Sequence, residues 1–259
     1  MLSKASKQLK PKHFAKKALS AAVLSSLFIQ PALAYEFDKP IENLFNLGQK
    51  DAQYGQVKLN LRYRYEMSDV AGNTRDTAHA NTLRLRLGYL TPKFHGFQAF
   101  AEYEGNLAMQ QDYFVPVGNW QGDSGREVVA DPQQNELNQL WISYKAFDTE
   151  IKGGRQRIKI DNDRFIGSVG WRQMEQTYDS VLVTNKSVEN LTLKVGYIGR
   201  VQNIFSVQDK IEMPFFNFNY KVKDFASITA YGLWLADYQA LAKSTQTLGL
   251  AVTGSPKIN

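Results

Sequence analysis

The chain has 259 residues, 43% hydrophobic and 12% aromatic, and no cysteine, which excludes a disulfide-stapled scaffold. The 31 Lys and Arg outnumber 25 Asp and Glu only through six lysines near the start (Lys4, Lys7, Lys10, Lys12, Lys16, Lys17). Without them the charges balance, so the basic pI of about 9.3 is no sign of nucleic-acid binding.

Those lysines precede an apolar run, Ala18 to Ile29, too short to span a bilayer, and then small residues at Ala32 to Ala34. This is the pattern of a cleavable secretory signal over 1–34, with the mature chain starting at Tyr35. Residues 35–55 show weak helical spacing at Ile41, Leu44, Phe45 and Leu47, read as a lead-in or short helix.

From Gln56 to the end the period is two. In "VKLNLRYRYEM" Val57, Leu59, Leu61, Tyr63, Tyr65 and Met67 share one face, and Lys58, Asn60, Arg62, Arg64 and Glu66 the other. "TLRLRLGYL" sets Leu83, Leu85, Leu87 and Tyr89 against Arg84, Arg86 and Gly88. "FQAFAEYEGN" sets Phe97, Ala99, Ala101 and Tyr103 against Gln98, Phe100, Glu102 and Glu104. "QLWISYKAF", a strand ending near Lys159, "QTYDSVLVT", "LTLKVGYIG", "FFNFNYKV", "ASITAYGLWL" and "TLGLAVTG" continue the series, giving about ten strands of membrane-crossing length.

The connections alternate in length. Asp69 to Ala80, Leu107 to Asn135, Asp161 to Arg172 and Val201 to Met213 read as long; Thr91 to Gly96, Phe147 to Glu150, Asn185 to Asn190 and Lys221 to Phe225 read as short. An all-β, antiparallel up-and-down transmembrane β-barrel over 56–259 produces this asymmetry, with short turns on one side of the membrane and long loops on the other. No uninterrupted apolar window is long enough for a transmembrane helix, so any membrane crossing uses strands. A periplasmic sandwich or lipocalin-like can is the soluble alternative; it would bury the leucine rows and wet the arginines.

In the barrel reading the apolar faces meet lipid, and tyrosines near strand ends (Tyr63, Tyr65, Tyr89, Tyr103, Tyr144, Tyr197, Tyr231) form an interfacial girdle. Arg62, Arg64, Arg84 and Arg86 then project to one side, inward. Lys152 or Arg155, with Arg157, Arg172 and Lys194, would join them, with a bulge at Gly153-Gly154, if present, swapping the faces there. Glu66, Glu102, Glu104 and Asp179 are available partners. Fixed cations in a narrow passage concentrate anions; the alternative is a salt-bridged filling that stiffens the wall. In "GGRQRIKIDNDRFIGSVGWRQ" (Gly153 to Gln173), Arg164 and Arg172 are expected to narrow the passage, pinned by Asp161 or Asp163; the alternative is an exposed turn.

"LNLRYRYE", "NTLRLRLGY", "GRQRIKIDNDRFIG" and "GWRQMEQTYDS" together resemble the alginate-export porins of Gram-negative outer membranes, over roughly Gln56 to Phe205. The resemblance implies a monomeric eighteen-stranded barrel with an electropositive lumen passing an anionic polysaccharide. It carries Arg62, Arg84, Arg155, Arg164 and Arg172 over as lumen-lining positions. This chain departs from it in having about ten strands and in ending "TGSPKIN" without a terminal aromatic, which leads us to expect an incomplete barrel. The expected partners are outer-membrane lipid, the barrel-assembly machinery and an anionic solute or polysaccharide; no cofactor or metal is expected.

No catalytic fingerprint appears. His79 and His95, the two histidines past the signal, lack a metal-ligand spacing. Glu102 and Glu104 lie on one strand, whereas a glycosidase pair normally flanks its substrate. Two further readings remain: an outer-membrane acyl hydrolase using Ser with His79 or His95, and a non-conducting structural barrel.

Overall fold

The computed structural model describes residues 54–118, 120–222, 226–237 and 244–254. The expected signal, and nearly all of the expected lead-in, lie outside the described residues.

The described chain is all strand and connection. Ten strands form one sheet: β1 (Gln56–Ser68), β2 (Ala78–Leu90), β3 (Phe97–Asp112), β6 (Gln134–Ala146), β7 (Thr149–Gln156), β8 (Thr177–Asn185), β9 (Leu191–Gln202), β10 (Gln208–Val222), β11 (Ala226–Asp237) and β12 (Thr245–Gly254). Each is antiparallel to its sequence neighbour in the sheet, and β1 and β12 are its outer strands. A small ribbon, β4 (Phe114–Val115) with β5 (Gln121–Gly122), sits in the β3–β6 connection.

The period-two pattern explains the strands, and solvent exposure fixes the orientation of the sheet. Leu250 and Val252 are 72% and 68% exposed, whereas Arg84 and Glu104 are 4% and 0% exposed. In water this arrangement would strand the apolar rows; against hydrocarbon it is the stable one. The sheet is an open stretch of a transmembrane β-barrel wall, with one polar and one apolar face.

Four register shifts adjust that wall, placing one extra residue each at Met109, Asn138 and Gly199 and one on β10 between Lys210 and Met213. Gly153-Gly154, expected as a possible bulge, is not one. Both pair in register with Ile142 and Trp141 on one side and with Val181 and Ser180 on the other. Gly154 instead adopts a φ of 118°, and a Cβ there would lie 2.3 Å from the Leu140 carbonyl oxygen.

The connections at 69–77, 113–133 and 157–176 are long, as expected. The β9–β10 connection is not: β9 runs to Gln202 and β10 starts at Gln208, leaving 203–207, a tight turn in which the Asn203 side chain accepts from the amides of Phe205 and Val207.

Candidate functional site

The polar face of the sheet begins with cross-strand pairs. Arg62 on β1 faces Arg84 on β2; Asn60 faces Arg86, which faces Glu104 on β3; Lys58 faces Gly88, which faces Glu102. Opposed arginines repel, so each needs somewhere to turn. Arg84 turns to the Asn60 side chain and stands 4.0 Å from Glu104; Arg86 reaches Glu104 directly and Glu175 at 3.3 Å.

Arg62 turns to the chain that leaves β7. Residues 157–176 form a strap that crosses the polar face back to β1. Arg62 donates to the Gln173 side chain at 2.8 Å, to the carbonyls of Gly170 and Trp171 at 3.0 and 3.3 Å, and to that of Arg172. Arg64 donates to the Trp171 carbonyl at 2.6 Å and lies 4.1 Å over the Trp171 ring, while also pairing with Glu66 at 2.6 Å. Arg172 pairs with the same Glu66 at 3.0 Å. Farther along, the Gln173 amide donates to Asp131 at 2.8 Å and its side chain to Thr82 at 2.7 Å. The Glu175 amide donates to Glu104 at 3.3 Å. Glu175 also accepts from Arg157 and, at 2.7 Å, from Asn138; Arg157 reaches Glu102 at 3.4 Å.

The strap is thus pinned to β1, β2 and β3 by a connected network of arginines and carboxylates. Burial works against charge on Arg157, but Glu175 and Glu102 outweigh it and hold the guanidinium above its ordinary pKa. Beside the strap, burial, with the Asp131 charge adding to it, raises the pKa of the Tyr113 hydroxyl, which donates to the Asp131 carbonyl at 2.7 Å.

Arg62, Arg64, Arg84, Arg86, Arg157 and Arg172 are therefore brought together. Lys194 faces the same side, in register with Thr184 and buried Asn217, but on β9, away from the group. Arg155 does not join it. It stands in register with Leu140 and Asp179, on the face that carries Ile142 and Val181, and binds Asp179 through two bonds of 2.7 and 3.0 Å. Arg164 is exposed, its guanidinium 5.7 Å from the Phe165 ring centre. Neither aspartate of the strap pins Arg164 or Arg172: Asp163 pairs with Lys159 at 3.5 Å and Asp161 accepts from Asn217 at 2.7 Å. Glu66 and Asp131 take Arg172 instead. Sequence reading missed Asp131, Gln173 and Glu175. Glu175 alternates with Gln173 and Trp171, the one local signal that these side chains share a face.

Below the strap, toward the short turns, lies a cavity of about 500 Å³. Lys58, Arg62, Arg84, Arg86 and Arg157 line it with Glu102 the single acid; Phe100 and Trp141 form its apolar floor. Glu104, Glu175, Glu66 and Asp131 stand behind the arginines, outside the lining. A second cavity, of about 490 Å³, lies between the strap and β10–β12 and is bordered by Arg164, Phe165, Phe215 and Tyr231. The two histidines lie apart: His79 bonds the Tyr65 hydroxyl at 2.9 Å and His95 sits in the β2–β3 turn.

The family model described as alginate export matches residues 53–247, three quarters of the chain. The chain belongs to the alginate-export family. No curated protein matches it. Among solved structures it is similar to OccAB3 of Acinetobacter baumannii, with a TM-score of 0.62 and 16% identity over 78% of this chain and 54% of that one. It is similar to OccK8 (OprE) of Pseudomonas aeruginosa, with a TM-score of 0.59 and 16% identity over 78% of this chain and 50% of that one. A BenF-like porin from Pseudomonas fluorescens Pf-5 matches with a TM-score of 0.55 and 16% identity over 75% of this chain and 51% of that one. The chain thus spans about half the length of these structures; they share its fold.

Proposed function

We propose that this member of the family forms a passive channel for anionic solutes, including oligosaccharides that carry carboxylates. The observation that carries the reading is the lining of the cavity below the strap: five cations and one acid around a space open to solvent. A planar guanidinium matches a carboxylate better than an ammonium does, and four of the five cations are arginines. The carboxylates that hold the arginines in place sit behind them, so they fix orientation without cancelling the field in the passage. In this reading Arg62, Arg84, Arg86 and Arg157 present charge to the solute, and Arg64 and Arg172 hold the strap. An acyl hydrolase would need a Ser beside His79 or His95; His79 is instead bonded to Tyr65. The signal over 1–34 would deliver the mature chain for insertion by the barrel-assembly machinery, with 56–259 as the barrel portion.

The test is a reversal potential across a planar bilayer under a salt gradient. A chloride preference that falls on Arg62→Ala with Arg84→Ala supports the proposal; an unselective pore, or one the substitutions leave unchanged, refutes it. Ester hydrolysis without conductance would turn the reading toward the enzyme.

A further inference from the structure

The cavity between the strap and β10–β12 is built unlike the one lined by arginines. Asn217 donates to Asp161 of the strap, so its side of the sheet is the one turned to the strap. On that side the rows across β10, β11 and β12 run Phe215–Leu233–Thr247, Asn217–Tyr231–Gly249 and Asn219–Thr229–Ala251, with no charge among them. Lys194 stands opposite Asn217 and Lys221 opposite Ser227, but neither borders the cavity. The strap supplies one cation and one acid to the border, Arg164 and Asp161. This cavity is therefore electrically balanced, whereas five cations and one acid line the other.

Its shape follows from two close approaches. A Cβ at Gly249 would lie 2.2 Å from Cζ of Tyr231, and one at Gly196 would lie 2.6 Å from the Phe215 ring. Each ring therefore lies across the neighbouring strand, along the sheet, with its other face toward the space under the strap. Phe165 of the strap meets Tyr231 with ring centres 5.5 Å apart and planes tilted by 39°. Polar groups stand around these rings, already held in place. Asn219 donates to Thr229 at 2.7 Å, Ser227 and Thr253 share a bond of 2.9 Å, and Asp161 accepts from Asn217 at 2.7 Å. Each bond uses part of what its groups offer, since an amide has two donors and an acceptor and a carboxylate about four acceptor sites.

We propose that this cavity binds an uncharged pyranose ring, one sugar unit of a neutral glycoside or oligosaccharide. A pyranose carries C–H groups over its faces and hydroxyls around its edge, so it matches aromatic faces bordered by amide, hydroxyl and carboxylate groups. The space, about 490 Å³, falls within the range of ligand pockets, about 300–1,000 Å³. An aromatic carboxylate would use the rings and Arg164, but it would leave the amides and hydroxyls unmatched and bring its charge toward Asp161. The proposal rests on the channel reading for access of the sugar, and not for the charge of the solute.

Saturation-transfer NMR on the full chain in a sugar-free detergent tests it, with the methyl glycosides of glucose, galactose and mannose and with benzoate as probes. At least one glycoside should bind with a Kd of about 1–10 mM, ordinary for a ligand of roughly thirteen non-hydrogen atoms. Tyr231→Ala should weaken that binding about tenfold through loss of a ring face. Phe165→Ala should weaken it about fivefold and, because that ring is half exposed, should fold normally. Trp120→Ala, which removes an exposed ring elsewhere, should leave it within about twofold. No glycoside binding up to about 50 mM, no loss in either ring variant of the cavity, equal loss in Trp120→Ala, or benzoate binding tighter than every glycoside would each overturn the proposal. The reversal potential reports separately. An anion-selective channel that binds no glycoside would sink this proposal and leave the channel reading standing; glycoside binding to an unselective pore would do the converse.

Discussion

Replacing Glu104 by Gln should make the protein less stable and more anion-selective at once. Glu104 is fully buried, receives Arg86 directly, and stands 4.0 Å from Arg84. At an effective dielectric of about 20, a unit pair at that distance is worth about 4 kcal/mol. Removing one partner of a buried pair costs about 3–5 kcal/mol because the other charge stays behind. Gln retains one acceptor for Arg86, and Glu175 still holds Arg86 at 3.3 Å, so we expect the lower end, about 3 kcal/mol. Urea unfolding of the detergent-solubilised protein reads this as a lower midpoint. The same substitution takes one negative charge from behind the cavity wall, so the reversal potential should move toward chloride. A stability loss under about 0.5 kcal/mol, the range of an ordinary surface change, would mean that Glu104 does not neutralise the arginines, and an unmoved reversal potential would mean that the network does not set selectivity.

Three further outcomes follow from the same geometry. Arg62→Ala removes four donated bonds to the strap; limited trypsin digestion should then cut after Arg164 or Arg172 faster than in the parent. Arg172→Ala leaves Glu66 with Arg64 as its remaining partner of the pair and should shift selectivity toward cations, while Arg164→Ala, at an exposed site, should leave it unchanged; equal effects would contradict the placement of the two. Gly154→Ala puts a Cβ 2.3 Å from a backbone oxygen at a φ of 118° and should cost about 2 kcal/mol or more in urea unfolding, since the backbone cannot easily give.

The strands were legible because burial on one face and lipid on the other impose the same period of two, whichever way the sheet is turned. Loop asymmetry and the tyrosine ends pointed to a membrane barrel. Three things could not be read in this way. The register shift at Gly199 leaves no mark in composition, so the outward turn of Arg200 was invisible. The strap's partners lie far away in sequence, 42 residues for Asp131 with Gln173 and 111 for Arg62 with Gln173, and spacing says nothing about such contacts. Asp131, in the long β3–β6 connection, carries no local signal; it is fully buried and anchors Gln173. The β9–β10 connection read as long because polar residues interrupt the alternation at Gln202-Asn203 and at Gln208 to Lys210, yet Gln202 and Gln208 to Lys210 belong to the strand ends.

The central claim is directional: leucines toward hydrocarbon, cations toward water. The sequence has no cysteine, so single-cysteine variants can each carry one spin label without background. Labels at Leu61, Leu87 and Lys58 in vesicle-reconstituted protein, probed by oxygen and by a water-soluble nickel complex, test it most directly. The account predicts that Leu61 and Leu87 respond to oxygen and Lys58 to nickel; the reverse pattern, or nickel access at all three, would contradict it.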